Sequence, residues 1–291
     1  MRPSKKRIVR FIENFASKFL GDGIYSLILF MRYYNNFKRS INRKKSAEIH
    51  SENLDEINKF EYKITSQNNE DGIIEYIFSK IPHDKKFIEI GFEYHENNTL
   101  NLIKNGWSGI LIDQNRAESL LTKKLVNLFF PKSDIKILQK RVTKENINFI
   151  LNENKNFKEI DFFSLDVDGN DYWLLKNTQL DNIKCICIEF NPWIDKNLKK
   201  TVPYNDNFQY MDDGFFGASL LAYHDLLKEK NFDLIAVDSS GTNAFFVIRK
   251  YSYLFEILDP IKSFKFNPYQ YSEDRKKNIL SQMKKHKFLN V

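Results

Sequence analysis

The chain has 291 residues, of which 42% are hydrophobic and 15% aromatic, enough to bury one large α/β core, and its 29% of charged residues argues against a disordered chain. Twelve of the lysines and arginines fall in residues 1–45 with only Glu13 and Asp22 to oppose them, so the formal charge of +7 sits in one N-terminal arm while residues 46–291 are near neutral. That asymmetry argues against a general nucleic-acid enzyme, which spreads its bases over a working face.

The arm comes first. Ile8, Phe11, Phe15, Phe19 and Leu20 recur at helical spacing among Arg7, Arg10 and Lys18, and Arg32, Lys38, Arg39, Arg43, Lys44 and Lys45 follow. The apolar run Ile24 to Met31 is too short to span a bilayer, which needs roughly 20 residues. Two readings stay open: a basic amphipathic helix on an anionic membrane surface, or a helix docked on its own domain with a solvated basic face. Residues 46–60 are polar and acidic and read as a linker, leaving 61–250 as the domain and 251–291 as a basic, aromatic tail.

From residue 70 helix and strand periods alternate. Helices are expected over 70–78, 98–104, 117–129, 144–151, 172–176 and 218–230, and strands over 86–91, 109–113, 134–138, 160–166 and 185–190. Such alternation implies right-handed βαβ units around a parallel sheet. Strands 232–237 and 244–248 are joined by Asp238 to Asn243, too short for a crossover helix, so they form an antiparallel hairpin. Five parallel strands closed by such a hairpin make the Rossmann-like class I methyltransferase sheet, an α/β fold, and not the six-strand parallel sheet of a dinucleotide dehydrogenase. Cys185 and Cys187 share one face of an apolar strand and read as buried hydrophobes; with no other cysteine, a reducing, cytoplasmic setting fits best. If the arm binds lipid, that setting becomes the inner face of the membrane.

An open α/β sheet binds ligands beyond the carboxyl ends of its strands. There Glu89-Ile90-Gly91-Phe92 opens a loop with one glycine and three carboxylates, Glu89, Glu93 and Glu96. A pyrophosphate site needs more glycines and no such charge, whereas S-adenosylmethionine carries a sulfonium and an ammonium. Asp113, ending the second strand, suits both ribose hydroxyls of a nucleoside, or else caps the next helix. Arg141, just past the third strand, stands where such folds contact an adenine.

Ser66-Gln67-Asn68-Asn69-Glu70-Asp71-Gly72, the Glu89-Ile90-Gly91 loop with Asn97-Asn98-Thr99, Gly106-Trp107-Ser108-Gly109, Val142 to Ile147 and Asp166-Val167-Asp168-Gly169-Asn170-Asp171-Tyr172-Trp173 occur in order. Together they resemble the FkbM-type methyltransferases. The resemblance implies S-adenosylmethionine as donor, O-methylation of a sugar or other small-molecule hydroxyl, and a cofactor contact for Gln67.

At the ends of the fourth and fifth strands, Asp166, Asp168, Glu189 and Asn191 should meet on one rim. Asp166, Glu189 and Asn191 could ligate Mg²⁺; Asp166 or Asp168 could act as a base without metal; or Asp168-Gly169-Asn170 is a turn. His224 is a candidate base or a partly buried helix residue, and His95 is equally open. Tyr204, Phe215, Phe216 and Tyr223 are candidates to line an acceptor pocket under the loop 197–216. Asn191-Pro192-Trp193 lacks the second proline of the Asn-Pro-Pro-Tyr motif of amino-methylating enzymes and follows the wrong strand. The leading expectation is a small-molecule or glycan O-methyltransferase; the alternatives are a nucleic-acid methyltransferase clamped by the arm and a catalytically silent adaptor.

Overall fold

A computed structural model describes residues 22–47, 49, 51, 53–153, 159–266 and 272–291, with the side chains of 22–29 left aside. The first half of the basic arm, with its apolar positions from Ile8 to Leu20, lies outside the described residues.

The sheet strands are β1 (Lys86–Ile90), β2 (Ser108–Asp113), β3 (Ile135–Gln139), β4 (Ile160–Leu165), β5 (Ile183–Glu189), β7 (Phe232–Val237) and β8 (Asn243–Ile248). They form one seven-stranded sheet in the order β3-β2-β1-β4-β5-β8-β7, with β1 to β5 parallel and β8 antiparallel to both its neighbours. This is the class I methyltransferase layout that the alternating periods imply. The two-residue strands β6 (Lys200–Thr201) and β9 (Leu289–Asn290) pair apart from it.

The central strands read as apolar runs because helices cover both faces. Ile88, Ile90, Phe163, Leu165, Ile186, Ile188 and Phe246 face one core, joined by Ile147 and Ile150 of α5 (Ile147–Asn152), Leu174 of α6 (Asp171–Asn177) and Tyr223 of α7 (Leu220–Glu229). Phe87, Leu111, Phe162, Cys185, Cys187 and Phe245 face the other, under α2 (Glu70–Lys80), α3 (Leu100–Lys104) and α4 (Arg116–Phe129). Both cysteines are free and buried on this second face. Burying each phenylalanine stabilises the fold by about 1.5–3 kcal/mol, so the pairs Phe162-Phe163 and Phe245-Phe246 serve both cores at once.

Helix α5 starts at Ile147 and not at 144, because Thr143 and Asn146 close a turn in which the Thr143 amide donates to Asn146 Oδ1 at 2.8 Å. A helix α1 (Asp22–Ile41) covers α3 and α4, with Phe37 and Ile41 buried and Phe37 against the Phe129 and Phe130 rings. From Phe30 onward its apolar residues Phe30, Tyr33, Tyr34, Phe37 and Ile41 pack on the domain, while Arg32, Lys38 and Arg39 remain exposed. The stretch read as a linker is packed as well. A 3-10 turn, Glu56–Phe60, buries Ile57, and Asn58 Nδ2 donates to the Val237 carbonyl at 2.8 Å. No helix among the described residues is long and apolar enough to cross a membrane. The C-terminal residues add α8 (Arg249–Ser252) and α9 (Glu273–Met283) before β9.

Candidate functional site

Strand order reverses between β1 and β4, where the chain after each strand leaves toward an opposite face and a crevice opens. Gly91 stands at this point with φ +80°, and a Cβ there would lie 1.6 Å from the Asp166 carbonyl oxygen. The two strand ends are stitched together around it: the Gly91 amide donates to Ile112 O and the Asp166 amide to Ile90 O, each at 2.9 Å. A side chain at Gly91 would force β1 and β4 apart, so its first role is to close the sheet edge.

Beyond Gly91 the chain runs eight residues before α3 begins at Leu100. The amides at that helix start are already taken. Glu89 Oε1 accepts from the Asn98 amide at 3.0 Å, its second oxygen accepts from the Thr99 hydroxyl, and Asn97 Oδ1 accepts from the Thr99 and Leu100 amides at 3.1 and 2.7 Å. Glu89 is thus buried beneath the helix and turned away from the crevice, and burial pushes its carboxyl up to about 7. Glu96 is held by Arg43 and Lys63 at 3.3 and 3.5 Å. Glu89 and Glu96 are therefore engaged within the protein, where the sequence suggested carboxylates facing a ligand, and Glu89 occupies the helix N-terminus that a pyrophosphate would need. The loop is braced from outside by α1: Tyr33 packs edge-on against Tyr94, Asn36 Nδ2 donates to Tyr94 Oη at 3.0 Å, and the Ser40 hydroxyl donates to the His95 carbonyl at 2.5 Å. His95 stacks on Tyr94, and burial lowers its pKa below the usual histidine value.

The crevice itself is an open cleft lined by Gly91, Asp113, Lys140, Arg141, Asn170 and Phe208 over an apolar floor of Ile90, Ile112, Val142 and Val167. Gly91, Asp113 and Arg141 are thus brought together. Asn115, and not Asp113, caps α4, accepting from the amides of Ala117 and Glu118 at 3.0 and 3.4 Å. Asp113 Oδ1 accepts from the Asn115 amide at 2.5 Å, which aims the carboxylate across the strand ends. Phe92 is buried in the core and contributes its amide, 3.5 Å from Asp113 Oδ2, rather than its ring. Glu89 and Gln67 do not line the cleft. Gln67 is the exposed tip of a loop tied down by Asp71 Oδ2, which accepts from the amides of Ile64, Thr65 and Ser66 at 2.7, 2.7 and 3.0 Å. That loop meets the other half of the rim, where Glu70 accepts from Asn243 at 2.8 Å.

Carboxylates crowd this second half. One oxygen each of Asp166, Asp168 and Glu189 lies within 4.8 Å of the others. Burial, then the neighbouring acids, pushes both Asp166 and Glu189 well above the usual carboxylate range. Acids this close disfavour ionising both members at once. Asp168 takes a left-handed backbone, φ 57°, and Asp171 holds it there by accepting from the Val167 and Gly169 amides at 2.7 and 2.8 Å. Burial raises the Asp171 carboxyl to about 6.

Two expected members stay outside the cluster. The Asn191 side chain is buried and engaged, donating to Gly214 O and Phe216 O at 2.8 and 2.9 Å and accepting from the Trp193 amide at 3.0 Å, so that it braces the loop at 214–216. His224 pairs with Asp225 at 3.0 Å on the outer side of α7. Its neighbour Tyr223 is fully buried, and its hydroxyl is left without a hydrogen-bond partner, with its ionisation suppressed by burial and by Asp171, Glu189 and Asp166.

The loop between β6 and α7 roofs both halves. Asn170 exchanges hydrogen bonds with the Asn205 backbone at 2.8 and 3.2 Å, and Trp173 Nε1 donates to Val202 O at 2.8 Å. Tyr204 is bound to Asp206 at 2.7 Å, and Phe215 and Phe216 lie further along the same loop. Phe208 and Lys140 were not singled out in the sequence, and Asn170, Glu70 and Asp71 stood there only as members of motifs or of a turn. Only the last two had a usable signal, a pair of acids in the first turn of a helix.

No protein-family model and no curated protein matches the chain. Among solved structures it is similar to the N-terminal domain of EvdMO1 with SAH bound, at TM-score 0.43 and 11% identity over 63% of this chain and 80% of that one. It is also similar to an S-adenosylmethionine-dependent methyltransferase from Clostridium acetobutylicum, at TM-score 0.38 and 13% identity over 62% and 90% of the two chains. A third is magnesium protoporphyrin IX methyltransferase (ChlM) from Synechocystis with bound SAM, at TM-score 0.36 and 8% identity over 56% and 69%.

Proposed function

We propose that this chain binds S-adenosylmethionine in the cleft beside Gly91 and transfers its methyl group to a hydroxyl presented at the acidic half of the rim. The observation that carries this reading is the division of the sheet edge. A cleft with a carboxylate on β2 stands beside a helix N-terminus already filled by Glu89 and Asn97, which favours a phosphate-free nucleoside over a dinucleotide there. Asp113 would hold the ribose hydroxyls, Arg141 and Val142 would border the adenine, and the Gly91 turn would take the amino-acid end.

When bound, this cofactor supplies a methyl group on a positively charged sulfur. The rest is proton handling by the chain. As the acceptor oxygen forms its bond to the methyl carbon and the bond to sulfur breaks, the hydroxyl proton passes to the ionised member of the Asp166–Glu189 pair. Its raised pKa makes that member a stronger base than an ordinary carboxylate. Asp171 is a positioning residue, fixing the turn that carries Asp168. The FkbM-type motifs support a sugar or small-molecule hydroxyl as acceptor.

A second reading is favoured by the spacing of Asp166, Asp168 and Glu189: three oxygen donors within 4.8 Å also fit a divalent cation such as Mg²⁺, which would lower the pKa of a bound diol. Chelation separates the two, since turnover unchanged by EDTA supports the carboxylate pair and abolished turnover supports the metal. The exposed bases of α1 make anionic lipid a further partner to test, by sedimentation with phosphatidylserine vesicles. Calorimetric titration with S-adenosylhomocysteine and NAD in parallel tests the core of the proposal: heat with the first alone is expected, and heat with NAD alone would refute it.

A further inference from the structure

The C-terminal residues, read from sequence as a tail without chemistry, reach the site through a continuous stack. The Phe208 ring lies in the space beside Gly169, where a Cβ would come within 2.2 Å of it, and forms one wall of the cleft. Behind it stands Phe215, with ring centroids 6.2 Å apart. Behind Phe215 stands the C-terminal segment: His286 stacks on it at 4.3 Å and 13°, and Phe288 meets it edge-on at 4.9 Å. Polar ties hold the two layers together. Arg275 pairs with Asp212 at 2.8 Å and His286 with Asp213 at 3.0 Å. Gly214, at φ +78°, lets the loop approach α9 so closely that a Cβ would sit 2.6 Å from Ile279. The β6–β9 ladder, with the Val291 amide donating to Lys199 O at 3.1 Å, anchors the far end.

The loop 203–216 has little regular structure of its own, and so its conformation is set by what packs on it. Its inner contacts are the Phe208 ring against Gly169, Tyr204 beside Lys144 and Glu145, and hydrogen bonds to Asn170, Asn191 and, at 3.5 Å, between Arg141 and Asn207. Its outer apolar contacts come largely from residues 275–288.

We propose that His286 and Phe288 are positioning residues of the cleft: the C-terminal segment fixes Phe208 as its outer wall by way of Phe215. The cofactor part of this inference rests on the proposed function; the loop part does not. The test is the double variant His286→Ala/Phe288→Ala in the full chain, with Phe288→Leu as the conservative control that keeps an apolar contact. Amide hydrogen exchange of residues 203–216 should quicken by about tenfold or more in the double variant, while β1, β4 and β5 keep their protection, and Phe288→Leu should stay near the parent. S-adenosylhomocysteine should dissociate about tenfold faster from the double variant, with its association rate little changed. Unchanged exchange over 203–216, or a loss of protection spread equally through the sheet, overturns the inference. Failure of the parent protein to bind S-adenosylhomocysteine sinks the methyl-transfer reading instead, and the exchange comparison still decides this one.

Discussion

The two halves of the sheet edge are built from the same parallel strands yet carry opposite electrostatics. At the ends of β1, β2 and β3 the cleft exposes one carboxylate, Asp113, beside Lys140 and Arg141 over an apolar floor. At the ends of β4 and β5 three carboxylates are packed so closely that two are driven toward their neutral forms. The first half is arranged to hold a ligand through shape and one strong acceptor. The second half keeps groups poised to move a proton. The lesson is that neighbours, more than residue type, separate the two tasks: Asp113 and Asp166 are both half-buried aspartates at strand ends of one sheet, and only the second is surrounded by its own kind.

The sharpest way to break this comparison is at Asp166. Asp166→Asn removes one member of the carboxylate pair and should lower turnover by roughly 10³-fold while S-adenosylhomocysteine affinity stays within about threefold. Equal losses in both would merge the two halves into one site. Next is the buried acid of the first half, Glu89. Its folded pKa, about 7, lies above the ordinary 4.5, so the fold keeps a proton that the unfolded chain releases. Stability should therefore be full below pH 4.5 and fall as pH rises to about 7, by roughly 3 kcal/mol. Urea denaturation across that range should show the slope in the parent and a flatter profile in Glu89→Gln. Third, Asp113→Ala should weaken S-adenosylhomocysteine binding by about 100-fold, near 2.7 kcal/mol, with little change in melting temperature. Smallest is His224→Ala, expected to change turnover by less than about threefold, because the ring faces Asp225 on the outer side of α7.

Most of the sheet was legible in the sequence because apolar runs such as Phe87-Ile88 and Phe162-Phe163 bounded by turns have few other uses in an alternating chain. Asp113 was legible for a related reason, as a carboxylate ending such a run. What stayed hidden depends on contacts between distant segments. Asn58 looks like any linker polar residue until its amide meets Val237, 179 positions away. Glu89 looks like a loop charge until α3 folds onto it, and Asn191 like a metal ligand until the loop at 214–216 claims its amide. Phe208 carries no local signal, since its place in the cleft is set by Gly169 on one side and the C-terminal aromatics on the other.

The central claim is that the cleft beside Gly91 is a nucleoside site answering to Asp113. A crystal grown with S-adenosylhomocysteine tests it most directly. The account predicts the ribose hydroxyls within hydrogen-bonding distance of the Asp113 carboxylate and the sulfur directed toward Asp166. Density for the ligand elsewhere on the molecule, or a cleft filled by Phe208 while Asp113 touches only Asn115, would contradict it.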